Sequence, residues 1–245
     1  MTVRNSPDIF LNRTLNLHPA DFDFSPADKP FPRGEICLRG PSVFRRYFKR
    51  EGDTRRAIDV DGWFHTGDLG MFDFKGRLRL IDRREHIRKL HNGYLVFPIK
   101  TEAVYSASKW VNSCFVDTES TSSFLVGVVV PRARVVESWA KSHRVPGTHL
   151  GDWISSPALH DEILKDLLTL GSRSALSATE QVREIFLHDT PFSVENGLLS
   201  PGLNHLIRPN LRIFYRADFR TIAAKHQGQQ QQSSQAQSSL SPGSV

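Results

Sequence analysis

Apolar and polar positions change their spacing several times along the chain, and each change marks an element. Residues 34–40, Gly-Glu-Ile-Cys-Leu-Arg-Gly, alternate so that Ile36 and Leu38 share one face of a predicted strand. A short helical stretch is expected over 44–58. Residues 72–82 read as a hairpin turning at Lys75-Gly76, with Leu78 and Leu80 alternating against Arg77 and Arg79. Further on, 101–110 has helical spacing, and 111–117 and 123–131 are two β-rich runs separated by a polar turn, which predicts an antiparallel pair. Helices are expected over 134–143 and 157–170, the second through Leu159, Ile163, Leu164, Leu167 and Leu168. A strand at 182–188 and a loop at 195–201 follow. No internal repeat is visible, and the element order predicts an α+β domain beside the end of a β-rich one.

The two ends are patterned differently. Residues 1–33 carry Pro7, Pro19, Pro26, Pro30 and Pro32 and read as extended or irregular chain. The Gln/Ser tract from His226 is too polar to bury a core and reads as a disordered tail. The longest apolar run, Phe124-Leu-Val-Gly-Val-Val-Val130, is far short of the roughly 18–20 residues of a membrane-spanning helix. The first twenty residues build no apolar block before a cleavage site, so no secretory signal is expected. Two cysteines, Cys37 and Cys114, make neither a disulfide framework nor a four-ligand zinc site, which favours a reduced, intracellular setting, and no metal site is expected from the side chains alone.

Charge changes this picture only slightly. The 32 Lys and Arg exceed the 26 Asp and Glu, a net charge of +6 that suits an anionic surface. Most of these residues are interleaved, so specific nucleic-acid binding is not expected. A membrane-surface or nucleic-acid binder would need the Arg and Lys side chains to converge on one face.

Chemistry concentrates in Asp61-Gly-Trp-Phe-His-Thr-Gly-Asp-Leu-Gly70 and Ile81-Asp-Arg-Arg-Glu-His-Ile-Arg-Lys-Leu90. A Thr-Gly-Asp turn exposes a carboxylate suited to a sugar diol. The Asp82-Arg83 pair beyond the hairpin could meet it and supply a bidentate donor. His65, just before that turn, reads as a packing and hydrogen-bonding residue rather than a general base. Neither cysteine has the electropositive setting of a reactive thiol. Trp139 and Trp153 read as core or surface anchors, and Gly171-Ser-Arg-Ser174 as a helix C-terminus. No Gly-x-Ser-x-Gly elbow occurs, which argues against a hydrolase.

Together these stretches resemble the adenylate-forming, AMP-binding ligases, and within them the long-chain acyl-CoA synthetases. Arg33-Gly-Glu-Ile-Cys-Leu-Arg-Gly-Pro41, with Val43-Phe44 and Tyr47, is similar to a strand of that family, and Asp61-Gly-Trp-Phe-His-Thr-Gly-Asp68 and Gly76-Arg-Leu-Arg-Leu-Ile-Asp-Arg83 resemble its nucleotide-binding and hinge motifs. Asn92-Gly-Tyr-Leu-Val-Phe-Pro-Ile-Lys-Thr-Glu102 is similar to the long-chain signature, with Tyr94 and Ile99 in place of two glutamates. Phe192-Ser-Val-Glu-Asn-Gly-Leu-Leu-Ser-Pro201 resembles the segment before the family's C-terminal lysine. The likeness covers about residues 33–220, all motifs in order, and corresponds to the C-terminal third of such a ligase.

The resemblance implies a fold of two parts: residues 1–81 as the distal, β-rich part of the AMP-binding domain and 82–225 as a small mobile α+β domain, followed by the tail at 226–245. It implies a fatty acid, Mg-ATP and CoA as reactants, with acyl-adenylate and AMP formed on the way to acyl-CoA. Asp68 and Arg83 would bond the nucleotide ribose, Asp82 would be the hinge, and Gly93 would lie on the loop near the CoA tunnel. A hinge at an element end is sensible because few residues must absorb the whole backbone change. The family also implies an intracellular protein, soluble or peripheral to membranes, the endoplasmic reticulum and peroxisome among the settings.

Two departures bear on activity. The Ser/Thr/Gly-rich phosphate loop ending in Pro-Lys-Gly does not occur in the 245 residues. The position of the C-terminal lysine falls on Asn204, an amide that cannot replace a mobile cation, with His205 and Arg208 as nearby substitutes in a different register. The residues therefore fit two classes: part of an acid–thiol ligase that needs a complementary ligase chain, or a truncated, non-catalytic pseudoenzyme kept as a regulatory or interaction module.

Overall fold

The computed structural model describes residues 8–12, 29–202 and 205–226. They fall into two compact units, one up to Ile87 and one from Arg88. The predicted tail beyond His226 and most of the irregular N-terminal stretch lie outside the described residues.

The first unit is an antiparallel sheet of β1 (Asp8–Asn12), β2 (Arg33–Arg39), β3 (Phe64–Phe72) and β4 (Leu78–Arg83), in that spatial order, with helix α1 (Glu51–Ala57) between β2 and β3. The helix is shorter than the pattern predicts: 44–50 form turns, and regular helix begins only at Glu51. The hairpin turns at the expected place, where Gly76 takes a φ of 68°. Alternation fails in two strands. In β2 burial runs from Gly34 to Cys37 on both faces while Leu38 is only half-buried, because the second face carries a buried polar cluster. In β4 the register slips by one residue at Ile81 opposite Leu69 and Gly70, and Leu80 is left 66% exposed. The buried apolar side chains here are few: Ile36, Cys37, Leu69 and Ile87.

The second unit opens with a two-stranded ribbon, β5 (Arg88–Lys89) and β6 (Leu95–Val96), followed by helix α2 (Pro98–Tyr105). Pro98 starts that helix, three residues before the predicted start, and it ends at Tyr105 rather than 110. Strands β7 (Val111–Asp117) and β8 (Leu125–Pro131) pair antiparallel as expected. After α3 (Ala133–His143), α4 (Leu150–Trp153) and α5 (Pro157–Arg173), strand β9 (Val182–Leu187) joins β8 in parallel. Helix α6 (Arg208–Phe214) and a further helical stretch, 216–226, close the unit.

Strand β8 explains why this unit is the better packed. All seven of its residues are buried, the pattern of a strand covered on both faces. Leu125 and Val129 enter one cluster with Val136 and Trp139 of α3, Trp153 of α4, and Leu159, Ile163 and Leu167 of α5. Val126, Val128 and Val130 enter the other, with Leu211, Tyr215 and Phe219. Both Trp139 and Trp153 are thus core residues. The mixed helix and strand content is the α+β fold that the element order predicts.

Candidate functional site

Thr66, Gly67 and Asp68 do not form the expected turn but a wide bulge inside β3. Glu35 pairs with Leu69 and Cys37 with His65, so Ile36 alone faces the three bulge residues. The Thr66 hydroxyl donates to the Ile36 carbonyl (2.7 Å) and accepts the Asp68 N–H (3.0 Å). Gly67 takes a φ of 74° and donates its N–H to Glu35 Oε1 (3.1 Å). Only glycine adopts that backbone without penalty. The bulge thereby turns the half-buried Asp68 toward β4, where Arg83 is its strand partner and Arg83 Nε lies 3.2 Å from Asp68 Oδ1.

Behind this pair lies a polar cluster with no local signal in the sequence. Glu35 is 2% exposed on β2. Its Oε2 is 3.0 Å from His65 Nδ1 and 3.7 Å from the Arg84 guanidinium, and the other imidazole nitrogen is 3.2 Å from Asp59 Oδ2. Burial works against a charged imidazole, but the Glu35 and Asp59 carboxylates outweigh it and hold His65 above its ordinary value. Asp59, despite some desolvation, is held below its ordinary value by the Trp63 N–H, His65 and the Asp61 N–H. The expected hydrogen-bonding role of His65 is met by this double tether. Glu35, His65, Thr66, Gly67, Arg83 and Arg84 line a cleft of about 790 Å³ that also takes in Tyr47, Arg50 and Asp59.

Glu35, Cys37 and His65 bring a carboxylate, a thiol and an imidazole within 4.8 Å of one another, the one metal-ligand grouping among the described residues. Glu35 is engaged by the Gly67 N–H, His65 and Arg84 together, and Cys37 Sγ lies 3.5 Å from His65 Nδ1. Cys114, in the second unit, is buried and its thiol is pushed well up by desolvation.

The other sequence candidates are dispersed. Asp82 is almost buried; its Oδ1 accepts the Arg83 N–H (2.6 Å) and faces His86 Nδ1 at 3.2 Å, shortly before the boundary between the units. Gly93, in the second unit, sits at the exposed tip of the β5–β6 ribbon with a φ of 88° and open space around it. Asn204 lies outside the described residues. His205 is exposed, its N–H on Ser200 Oγ. Arg208 is 5% exposed and committed to the core: it donates to Glu102 Oε2 and to the Val116 carbonyl, both at 2.9 Å, over the Phe115 ring.

Human long-chain-fatty-acid–CoA ligase 6 is 44% identical over 183 residues, 75% of this chain and 26% of its own length. Long chain acyl-CoA synthetase 7, peroxisomal, from Arabidopsis thaliana is 37% identical over 195 residues, 80% of this chain and 28% of its own length. The chain belongs with the long-chain acyl-CoA synthetases. It matches the C-terminal part of these relatives and spans about a quarter of their length. No family model matches. Among solved structures, the adenylation domain of a carboxylate reductase from Mycobacterium chelonae aligns with a TM-score of 0.76 at 29% identity, over 90% of this chain and 32% of that one. The corresponding domain from Segniliparus rugosus, solved with AMP and a co-purified carboxylic acid, gives 0.76 at 25% identity over 89% and 31%. The fold is that of the adenylate-forming enzymes. No helix among the described residues is long and apolar enough to cross a membrane.

Proposed function

We propose that the chain is the nucleoside-facing and CoA-facing part of a long-chain fatty acid–CoA ligase, with Asp68 and Arg83 as the ribose contacts. The observation that carries this reading is the Asp68–Arg83 pair: a carboxylate and a guanidinium, 3.2 Å apart on neighbouring strands, fixed by a Thr-Gly bulge. Asp68 is partly exposed, so its carboxylate can meet a diol while Arg83 Nε faces Oδ1. The fit is to the nucleoside. With no Pro-Lys-Gly loop in the sequence, the chain does not fit the Mg-bound phosphates of ATP.

In this reading the hinge runs from Asp82 into the second unit and Gly93 belongs to the CoA-side loop, whose open surroundings leave the backbone approachable. Because the phosphate cradle and the acid tunnel would come from outside these 245 residues, whether from further ligase sequence or from a complementary ligase chain, the 245 residues by themselves do not form acyl-adenylate. Arg208 is tied to Glu102 and does not substitute for the lysine. The non-catalytic reading is favoured by one observation, asparagine at position 204.

Fatty-acid-dependent ATP–pyrophosphate exchange separates these readings. The isolated chain should give none. Fused to the upstream portion of human long-chain-fatty-acid–CoA ligase 6, it should gain exchange when Asn204→Lys restores a preorganised cation, by about 10²–10³-fold over asparagine. Asp68→Ala should remove that gain. Turnover by the isolated chain, or a chimera indifferent to both substitutions, would overturn the assignment.

A further inference from the structure

The segment Phe44-Arg-Arg-Tyr-Phe-Lys-Arg50 brings basic residues together with large apolar side chains, and of its residues only Tyr47 and Arg50 line the cleft described above. Every residue of it is exposed, with Phe48 84% exposed, against 38% and 40% for Phe44 and Tyr47. The segment is nonetheless built. The Tyr47 N–H donates to Thr54 Oγ1 (3.0 Å), which in turn donates to the Arg50 carbonyl (2.9 Å). Phe44 packs its ring against Tyr47 (4.8 Å) and against Phe64 of β3 (5.1 Å). Phe48 is thereby presented on a folded support, with the Lys49 ammonium 5.3 Å from its ring.

The charges on this support are largely uncompensated. Between 44 and 56 there are six Arg and Lys against two acids. Asp53 takes Arg50 and approaches Arg56, whereas Arg45, Arg46 and Lys49 make no ion pair among the described residues. An apolar wedge ringed by free cations is complementary to one kind of surface: aromatic side chains enter the headgroup layer while each nearby Lys or Arg gains from anionic headgroups.

We propose that residues 44–50 form a docking element for an anionic bilayer surface, with Phe48 entering the interface and Arg45, Arg46 and Lys49 contacting the headgroups. Charge complementarity selects the occupant. A bilayer is also where a long-chain acid concentrates, so the element would deliver the chain to its proposed substrate.

The test is sedimentation of the full 245-residue chain with vesicles of phosphatidylcholine alone or mixed with phosphatidylserine. Binding should require the anionic lipid and weaken with salt. Arg45→Gln with Arg46→Gln should weaken it about 30-fold, from roughly fivefold per cation. Phe48→Ala should weaken it on the order of tenfold, while Leu80→Ala, an exposed apolar side chain elsewhere in the same unit, should leave it unchanged. All these side chains are exposed, so unchanged circular dichroism checks that each variant is folded. Equal binding to neutral vesicles, variants that bind like the parent, or tighter binding to a single-stranded oligonucleotide at the same salt would overturn the proposal. None of these readouts involves acyl-adenylate, so their outcome is separable from that of the ligase assignment.

Discussion

The two units keep their charged groups in opposite ways. In the second, buried charges are closed off: Arg208 is matched by Glu102, and Asp117, 3% exposed as a side chain, takes Arg88 at 2.8 Å and Arg212 at 2.6 Å. These pairs tie helix α6 to helix α2 and strand β7, and β5 to β7. In the first, the thin core leaves Glu35, His65, Asp59, Arg83 and Arg84 lining an open cleft, with Asp68 paired to Arg83. The same chemistry is therefore sealed inside one unit and borders solvent in the other. Burial decides which, because a partner removed from a dry interior strands a charge, whereas water replaces it at a cleft.

The sharpest way to break this comparison is to open a closed pair. Glu102→Ala should destabilise the second unit by about 3–5 kcal/mol by leaving Arg208 buried and alone. Urea unfolding followed by tryptophan fluorescence suits the measurement, since Trp110, Trp139 and Trp153 all lie in that unit. A loss below about 1 kcal/mol would mean that water reaches the pair, and the contrast between the units would fall.

Core truncation should give the next effect. Leu167→Ala removes a fully buried side chain and should cost about 2–5 kcal/mol. In the first unit, Leu80→Ala should stay within about 0.5 kcal/mol because that leucine is already solvated. Equal costs would contradict the difference in packing.

A smaller effect is expected from pH. Glu184, 2.7 Å away, raises His160 from 6.5 to about 9, against the opposing effect of burial. Because the folded value is the higher one, this contribution is complete below about pH 6.5 and is lost as pH rises through about 9. Its partner is lowered from 4.5 to about 2 by the same His160 contact, so that side of the pair holds above 4.5 and fails as pH falls through about 2. The two shifts describe one interaction, worth on the order of 2 kcal/mol after solvent screening. His160→Gln should flatten the alkaline limb of a stability–pH curve; an unchanged limb would place the titration elsewhere.

The smallest stability change should come from the proposed site itself. Arg83 is 59% exposed as a side chain, so Asp68→Asn should alter unfolding by less than about 1 kcal/mol. In the fused ligase the same substitution should weaken AMP binding measurably by calorimetry. A stability loss as large as that of Glu102→Ala would make Asp68 a structural residue rather than a ligand contact.

Residue spacing accounts for what is legible in the chain by itself. The strands at 111–117 and 125–131 and the helix carrying Leu159, Ile163 and Leu167 stand out because both faces of β8 and one face of α5 are buried, and burial writes a period into the sequence. The order of the motifs is likewise enough to name the family, and to nominate Asp68 and Arg83 as partners. Tertiary structure alone decided the rest. Alternation in β2 broke because its second face carries the buried Glu35 cluster, alternation in β4 because a register slip does not mark the residues concerned, and the Thr-Gly-Asp segment became a strand bulge rather than a turn. Glu35 joined His65, and Glu102 joined Arg208, across long separations in the chain, where no local period can signal a contact. Arg208, named from the sequence only as a substitute for the lysine in a different register, is a buried structural cation because α6 packs it against β7. Which charges are free and which are spent is set by desolvation, and desolvation exists only once the chain has folded.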